Sequence, residues 1–179
     1  MKRIKNSIAI VLFILLPVAG FSQESAAQKW VHSFEGKEGI TLVSISPAMF
    51  RMLSKIKSTD PDYQQITRFA SKLKEFKIIL ADGDNKGAKA LAAKSEFNRL
   101  IAQIPLHQYE ELMSVNEGAN KIVFRVLEQN DRIQELLMTI SGSDQIIMFI
   151  KGDFKLNELT EISDDLNISG MNKFQKLKK

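Results

Sequence analysis

Few residues in this 179-residue sequence have a type and spacing that could support chemistry. The two histidines, His32 and His107, are widely separated. A zinc site needs three or four His, Cys or carboxylate ligands, usually including a close-spaced pair, and the sequence contains no such pair. The chain also has no cysteine, which removes thiolate ligands and disulfides. We therefore predict neither a metal site nor a bound cofactor.

The acidic segment at Asp82 and Asp84, followed by Gly87, has some likeness to a calcium-binding loop. The EF-hand pattern would place an oxygen ligand at Lys86 and a bidentate carboxylate at Ala93. Neither side chain supplies one. The segment is therefore interpreted as an Asx-rich turn that leads into a helix.

Hydrolytic chemistry is not predicted from the serine motifs. The Ser-Gly-Ser run at 141–143 lies where a hairpin turn is expected, whereas a nucleophile elbow joins a strand to a helix. Glycoside hydrolysis needs only two carboxylates across a cleft, and 21 acidic residues leave that alternative open. The neighbours Glu110 and Glu111 point to opposite faces of a strand, so they do not form such a pair. We predict no catalytic residue.

An aromatic pair, Trp30 and Phe34, is the candidate for binding a protein partner. Both rings lie on one stripe of a predicted N-terminal helix at 25–35, and large aromatic side chains are favoured anchors in interfaces. In the alternative interpretation, this amphipathic helix folds back and buries its stripe within its own domain.

The N-terminus, residues 1–22, has the layout of a secretory signal peptide. Lys2, Arg3 and Lys5 precede an apolar run at 8–16. Small residues at Gly20 and Ser22 suit cleavage before residue 23, and the alternative is that Gly20 is the last residue removed. The apolar run is shorter than the roughly 20 residues that span a bilayer, although an uncleaved anchor is the alternative. Without cysteine the protein is not a lipoprotein. We predict export to the periplasm or the cell surface, with no transmembrane span in the mature chain.

The positive charge of the precursor does not indicate a nucleic-acid partner. Removing the three basic residues of the leader brings the formal net charge of +4 close to zero. The remaining excess lies in a flexible tail, residues 171–179, whose lysines could contact an anionic envelope surface. These are Lys173, Lys176, Lys178 and Lys179.

The second half of the chain predicts four consecutive strands joined by short turns. Alternating apolar residues and turn-forming clusters place the strands at 109–115, 121–128, 132–140 and 145–151. In the last of them Ile147 and Phe149 face one way and Met148 the other, so both of its faces should be covered.

The first half alternates helices with two further strands. The expected order is β-α-α-β-α-β-β-β-β-α, which is an α+β fold with helices packed on one mixed sheet of about six strands, the C-terminal four forming an antiparallel meander. Residues 23–170 form a single domain. In the helix that starts at Pro47, we expect Met49, Leu53 and Ile56 to form the inner face, with Phe50 beside them.

Four patches resemble an uncharacterised family of secreted Bacteroidetes proteins known only as a domain of unknown function. They are 40–50 (ITLVSISPAMF), 76–81 (FKIILA), 109–115 (YEELMSV) and 146–156 (IIMFIKGDFKL). The leader exit, 20–23 (GFSQ), is similar to signal-peptide ends in that phylum. The resemblance implies export and a single domain, and it carries no activity or catalytic residues.

Our first functional hypothesis is a non-enzymatic protein of the cell envelope that binds another protein or an envelope component. One alternative is a small periplasmic hydrolase with paired carboxylates in a cleft beside the sheet. A second alternative is a carrier that holds an apolar ligand between sheet and helices.

Overall fold

The structure, a computed structural model, describes residues 24–81, 87–143 and 145–159. The main elements are α1 (Ala26–His32), β1 (Ile40–Ile45), α2 (Pro47–Leu53), α3 (Pro61–Ala70), β2 (Leu73–Ala81), α4 (Ala88–Ile101), β3 (Glu110–Glu117), β4 (Asn120–Gln129), β5 (Arg132–Ser141) and β6 (Ile146–Phe154). A 3-10 turn precedes β3, and residues 156–159 are helical. The predicted leader, the Asp82–Asp84 turn and the basic tail lie outside the described residues.

Local capping explains where three helices begin. The Ser25 hydroxyl accepts the N–H of Gln28, and the Gln28 side chain accepts the N–H of Ser25, which is a capping box for α1. Ser46 caps α2 and Asp60 caps α3. Each stands directly before a proline at the first helical position, where the missing N–H costs nothing.

The strands form one six-stranded sheet in the order β1-β2-β6-β5-β4-β3. The predicted α+β class, the six strands and the C-terminal meander are confirmed. The sheet is more regular than the mixed sheet we expected, because every pairing between its described strands is antiparallel. The meander β3-β4-β5-β6 folds back so that β6 lies beside β2. This places β6 inside the sheet and β1 and β3 at its two edges.

A two-residue turn fixes the register at the centre of the meander. Asn130 and Asp131 connect β4 to β5, and both have positive φ, 55° and 58°. Two positive φ values define the type I′ turn, whose twist matches that of paired strands. The predicted turn at 129–131 is thus built from residue types that tolerate this conformation.

Apolar side chains are buried on both faces of the sheet. On one face, called here the α1/α4 face, residues of α1 and α4 pack on β2, β5 and β6 around Phe34, Phe97 and Phe149. On the opposite face, called the α3 face, Phe69 of α3 packs with side chains of β4, β5 and β6. The prediction that both faces of β6 are covered is confirmed.

The predicted inner face of α2 is only partly correct, with Leu53 partly buried as expected. Phe50 is the buried residue of this helix, whereas Met49 and Ile56 are about half exposed. The helix ends at Leu53, so Ile56 no longer continues its periodicity. A seven-residue helix has room for little more than one anchoring side chain, and the aromatic ring of Phe50 takes that position.

Candidate functional site

A row of charged side chains crosses the α1/α4 face. Glu75 of β2 lies opposite Lys151 of β6, and Lys151 lies opposite Glu135 of β5. Lys151 Nζ is 3.6 Å from Glu135 Oε1. From α1, the Gln28 side chain accepts from Lys151 at 2.6 Å and donates to Glu75 at 2.6 Å. At the far end, the hydroxyl of Tyr109 donates to Glu135. The row is therefore a continuous network of hydrogen bonds and one ion pair, and α1 contributes Gln28 to it.

Lys77 extends this network one step along β2. Its side chain is only 4% exposed, and Nζ lies 2.9 Å from Glu75 Oε1 and 3.8 Å from Glu35 Oε1. His32 Nε2 is 3.3 Å from the same Nζ, and His32 Nδ1 is 2.6 Å from Glu35. His32 Nε2 also lies 3.0 Å from Glu24 Oε1, so the imidazole ring connects Lys77 with two carboxylates of the N-terminal segment.

A cleft of about 430 Å³ opens over Lys77 and Lys151. Its walls come from α1, from the end of β1 and from the beginning of β2. They include His32, Glu35, Ser44, Lys74 and Glu75. The cleft thus contains charges of both signs beside apolar groups and adjoins the edge strand β1.

The electrostatics of this cleft do not suit Glu75 as a general acid. Glu75 and Glu35 both approach Lys77, which brings two carboxylates together as a glycosidase would require. Burial raises the pKa of Glu75, but hydrogen bonds from Lys77 and Gln28 outweigh it, so its pKa lies below the usual value. A general acid needs a raised pKa. Glu75 instead remains ionised and holds Lys77.

Two clefts among the described residues contain charged side chains, which does not favour the alternative of a carrier for an apolar ligand. A second cleft of about 330 Å³ lies between α3 and residues 157–158. Its walls include Arg68, Lys72 and Glu158, and the last two form an ion pair. Apolar ligands favour pockets lined mainly by apolar side chains. Both clefts have charged side chains in their walls, and an apolar ligand would have to remove these groups from water.

Within the described residues, the outer edge of β1 has backbone groups that no other strand pairs with. Ala81 of β2 donates its N–H to a carbonyl on the β6 side at 3.1 Å. Since backbone groups alternate in direction along an antiparallel strand, the odd-numbered residues of β1 bond to β2. The N–H and C=O groups of Leu42 and Ser44 therefore point away from the sheet. We call these four groups the β1 edge.

The two edges of the sheet differ in charge. β1 has the sequence ITLVSI and carries no charged side chain. At the opposite edge, β3 carries exposed Glu110, Glu111 and Glu117. Charged side chains on an edge strand prevent other strands from adding to it. The β3 edge is protected in this way, whereas the described part of the chain gives the β1 edge no such protection.

Exposed apolar side chains lie close to the β1 edge in the sequence. Five of the large ones in the described ranges fall between residues 43 and 63, in β1, α2, α3 and the segment that joins these helices. They are Val43, Met49, Met52, Ile56 and Tyr63. Methionine adapts to different partner surfaces because its side chain is flexible and polarisable. We call this set the apolar surface.

Comparison with known protein families now places the chain. A family model described as "Domain of unknown function (DUF4252)" matches residues 34–162. The chain belongs to the DUF4252 family. No curated protein and no solved structure matches it. The DUF4252 match includes β1 to β6, the β1 edge and most of the charged row, whereas α1 precedes it.

The structure places the predicted aromatic anchors of this DUF4252 protein inside the domain. Trp30 is 6% exposed and Phe34 is 0% exposed, and their rings meet edge to face at 5.2 Å. Trp30 Nε1 donates to the carbonyl of Leu100 in α4 at 2.6 Å. This arrangement matches the alternative in which α1 folds back. As long as α1 is docked, a partner does not reach either ring.

Other predicted residues are dispersed or outside the described part of the chain. His107 lies in the 3-10 turn before β3 and does not approach the His32 cluster. The predicted envelope-contact lysines, Lys173, Lys176, Lys178 and Lys179, belong to the undescribed tail. Within the described ranges, no cluster of three or more His, Asp or Glu suits a metal ion. No helix there is both long and apolar enough to cross a membrane.

Sequence reasoning missed both features that define the candidate site. The charge-free strand 40–45 was visible in the sequence, but its position at a sheet edge depends on strand order. The charged row combines residues from α1, β2, β5 and β6. Its one local signal was the placement of Glu75 and Lys77 at alternate positions of β2, on the same side as the apolar Ile79.

Proposed function

We propose that this DUF4252 protein is an exported, non-enzymatic protein of the cell envelope, periplasmic or on the cell surface. It binds a protein partner by accepting an extended segment of that partner along the β1 edge. The observation that carries the proposal is the uncharged β1 edge with the free backbone groups of Leu42 and Ser44. Strand addition at such an edge gives affinity through main-chain hydrogen bonds.

The apolar surface supports a protein partner over a small polar ligand. Val43 is 46% exposed and Met52 is 61% exposed, and burying apolar area of this kind is the main driving force of association. The charged cleft beside Ser44 lies where side chains of an added strand pass, so it contributes to the choice of partner sequence. Support for export comes from the leader at 1–22.

The charged row supports the non-enzymatic part of the proposal. Each described carboxylate in the row is held by a lysine, an amide or a phenol. Removing a charge from such a network would leave its partner buried and uncompensated, at a cost of several kcal/mol. The row therefore fits a structural role, in which it fixes α1 on the sheet.

The test is an affinity pull-down from the solubilised envelope with residues 23–179 as bait. The variant Ser44→Pro removes an outward-pointing N–H without breaking a bond to β2, because proline is tolerated on an edge strand in that orientation. The matched control is Ser114→Pro on the protected β3 edge. A bait that ends at residue 171 reports on the lysine tail.

We expect one specific protein to be recovered by the wild type, the control and the shortened bait, and to be lost with Ser44→Pro. Loss on removing the tail or on adding moderate salt would mean electrostatic adhesion and would contradict a β1-edge contact. Recovery that is unaffected by Ser44→Pro would contradict it as well. Cell fractionation with antibody detection tests export, and a cytoplasmic signal would refute that part.

A further inference from the structure

We infer that the strand added at the β1 edge is β1 of a second copy of this chain, so that two six-stranded sheets join into one across a two-fold axis. The inference rests on the proposed function, because both use the same edge. It goes further by naming the partner. The argument depends on the register and the charge of β1.

The free backbone groups of β1 are self-complementary in an antiparallel register. A two-fold axis beside Val43 places Leu42 of one copy opposite Ser44 of the other, and the reverse. Both residues direct their N–H and C=O groups outward, so each of these two facing pairs exchanges two hydrogen bonds. The six residues of β1 thus provide four intermolecular bonds around the axis.

In the same register, Val43 faces its own symmetry mate. Val43 bonds inward to β2, so the facing valines form a non-hydrogen-bonded pair, whose Cα atoms are about 4.5 Å apart and whose side chains are close. The side chain is 46% exposed in the single chain. A β-branched pair at this position stabilises strand pairing, and pairing removes an exposed apolar group from water.

Charge selects this pairing over the other edge contacts that two copies could make. Pairing of β3 with β3 would bring Glu110, Glu111 and Glu117 of both copies together. Pairing of β1 with β3 would leave one edge of each kind free and would propagate into an open filament. Pairing of β1 with β1 brings no charged side chains of these strands together, and it closes after two copies.

The test is sedimentation equilibrium of residues 23–179 across a range of concentrations. We expect a monomer–dimer equilibrium in the wild type. Val43→Lys and Val43→Glu each place like charges opposite one another, so each should weaken dimerisation at least about tenfold, equivalent to about 1.4 kcal/mol. An equimolar mixture of the two variants should recover the dimer, because Lys then faces Glu.

Ser114→Lys on β3 is the matched control and should dimerise as the wild type does. Ser44→Pro is a second variant, which removes two of the four bonds without adding charge. Circular dichroism in dilute solution checks that each variant is folded. A wild type that stays monomeric, a dimer that Val43→Lys leaves intact, or a mixture that does not recover it would overturn the inference.

The outcomes also separate this inference from the proposed function. A monomeric wild type that still captures a different protein in a Ser44→Pro-sensitive manner would refute the second copy as partner and keep strand addition. A monomer that captures nothing would refute both. A dimer with the expected charge rescue supports both.

Discussion

Replacing Lys77 by methionine tests whether the charged row holds the α1/α4 face together. Methionine keeps most of the side-chain volume, so the main loss is the ammonium group, which is 2.9 Å from Glu75. Breaking a fully buried ion pair costs about 3 to 5 kcal/mol. Glu75 keeps its hydrogen bond from Gln28 and a little exposure, so we expect the lower end, about 3 kcal/mol.

Urea unfolding of residues 23–179 measures this loss. With a slope of about 2 kcal/mol per molar urea, the midpoint should fall by about 1.5 M. The matched control is Lys89→Met, because Lys89 pairs with Glu38 at 3.1 Å with both side chains more than four-fifths exposed. Such a surface pair contributes about 0.5 kcal/mol or less. Equal effects of the two substitutions would refute the reasoning.

The double variant Lys77→Met with Glu75→Gln refines the same test. Each single change leaves one buried charge without its partner, whereas the double change leaves none. The loss in the double variant should therefore be smaller than the sum of the two single losses, by about 1 to 3 kcal/mol. Additive losses would mean that the two groups do not interact.

The pH dependence has a defined sign. The pKa of Glu75 lies below its usual 4.5 in the folded state, so its contribution to stability is fully present above pH 4.5. The contribution is lost as the pH falls through the lower folded-state pKa. The difference in unfolding free energy between the wild type and Lys77→Met should therefore narrow on acidification below pH 4.5. A constant difference would show that Glu75 ionisation is not responsible.

Three further measurements test the packing. Trp30→Phe removes the buried hydrogen bond to α4 and part of a ring, and should cost about 1 to 2 kcal/mol in urea unfolding; no change would mean that α1 is not docked. Gly142→Ala should lower the free energy of unfolding by at least about 2 kcal/mol, because φ at Gly142 is +138° and the added Cβ would lie 2.0 Å from a backbone oxygen. Gly118→Ala is the control and should lower it less, because no atom lies within 4 Å of the added Cβ. Burial raises the pKa of Tyr109 above its usual 10.0, and the hydrogen bond to Glu135 raises it further. In a Tyr63→Phe background, the absorbance of the folded protein at 295 nm should therefore show no phenolate as the pH is raised to 10. The free energy of unfolding should fall as the pH rises further, because the unfolded state then loses the Tyr109 proton more readily than the folded state does.

The strands and helices followed from local sequence signals because their causes are local. Alternation of apolar residues, the caps at Ser46 and Asp60 and the turn at Asn130 each act within a few residues. The inner face of α2 was predicted only in part, because several apolar positions of this short helix could have been the buried one. Only the packing of Phe50 against the rest of the domain selects among them.

The sequence by itself determined the α+β class, the meander, the double-sided burial of β6 and the resemblance to a domain of unknown function, the part of that resemblance which the DUF4252 match confirms. Those properties depend on periodicity and composition, which a single chain segment carries. The tertiary structure alone decided that β1 is an unprotected edge, that Trp30 and Phe34 are buried, and that Glu75, Lys77, Lys151 and Glu135 form one network. Strand order brings together residues distant in sequence, and no local pattern specifies that order.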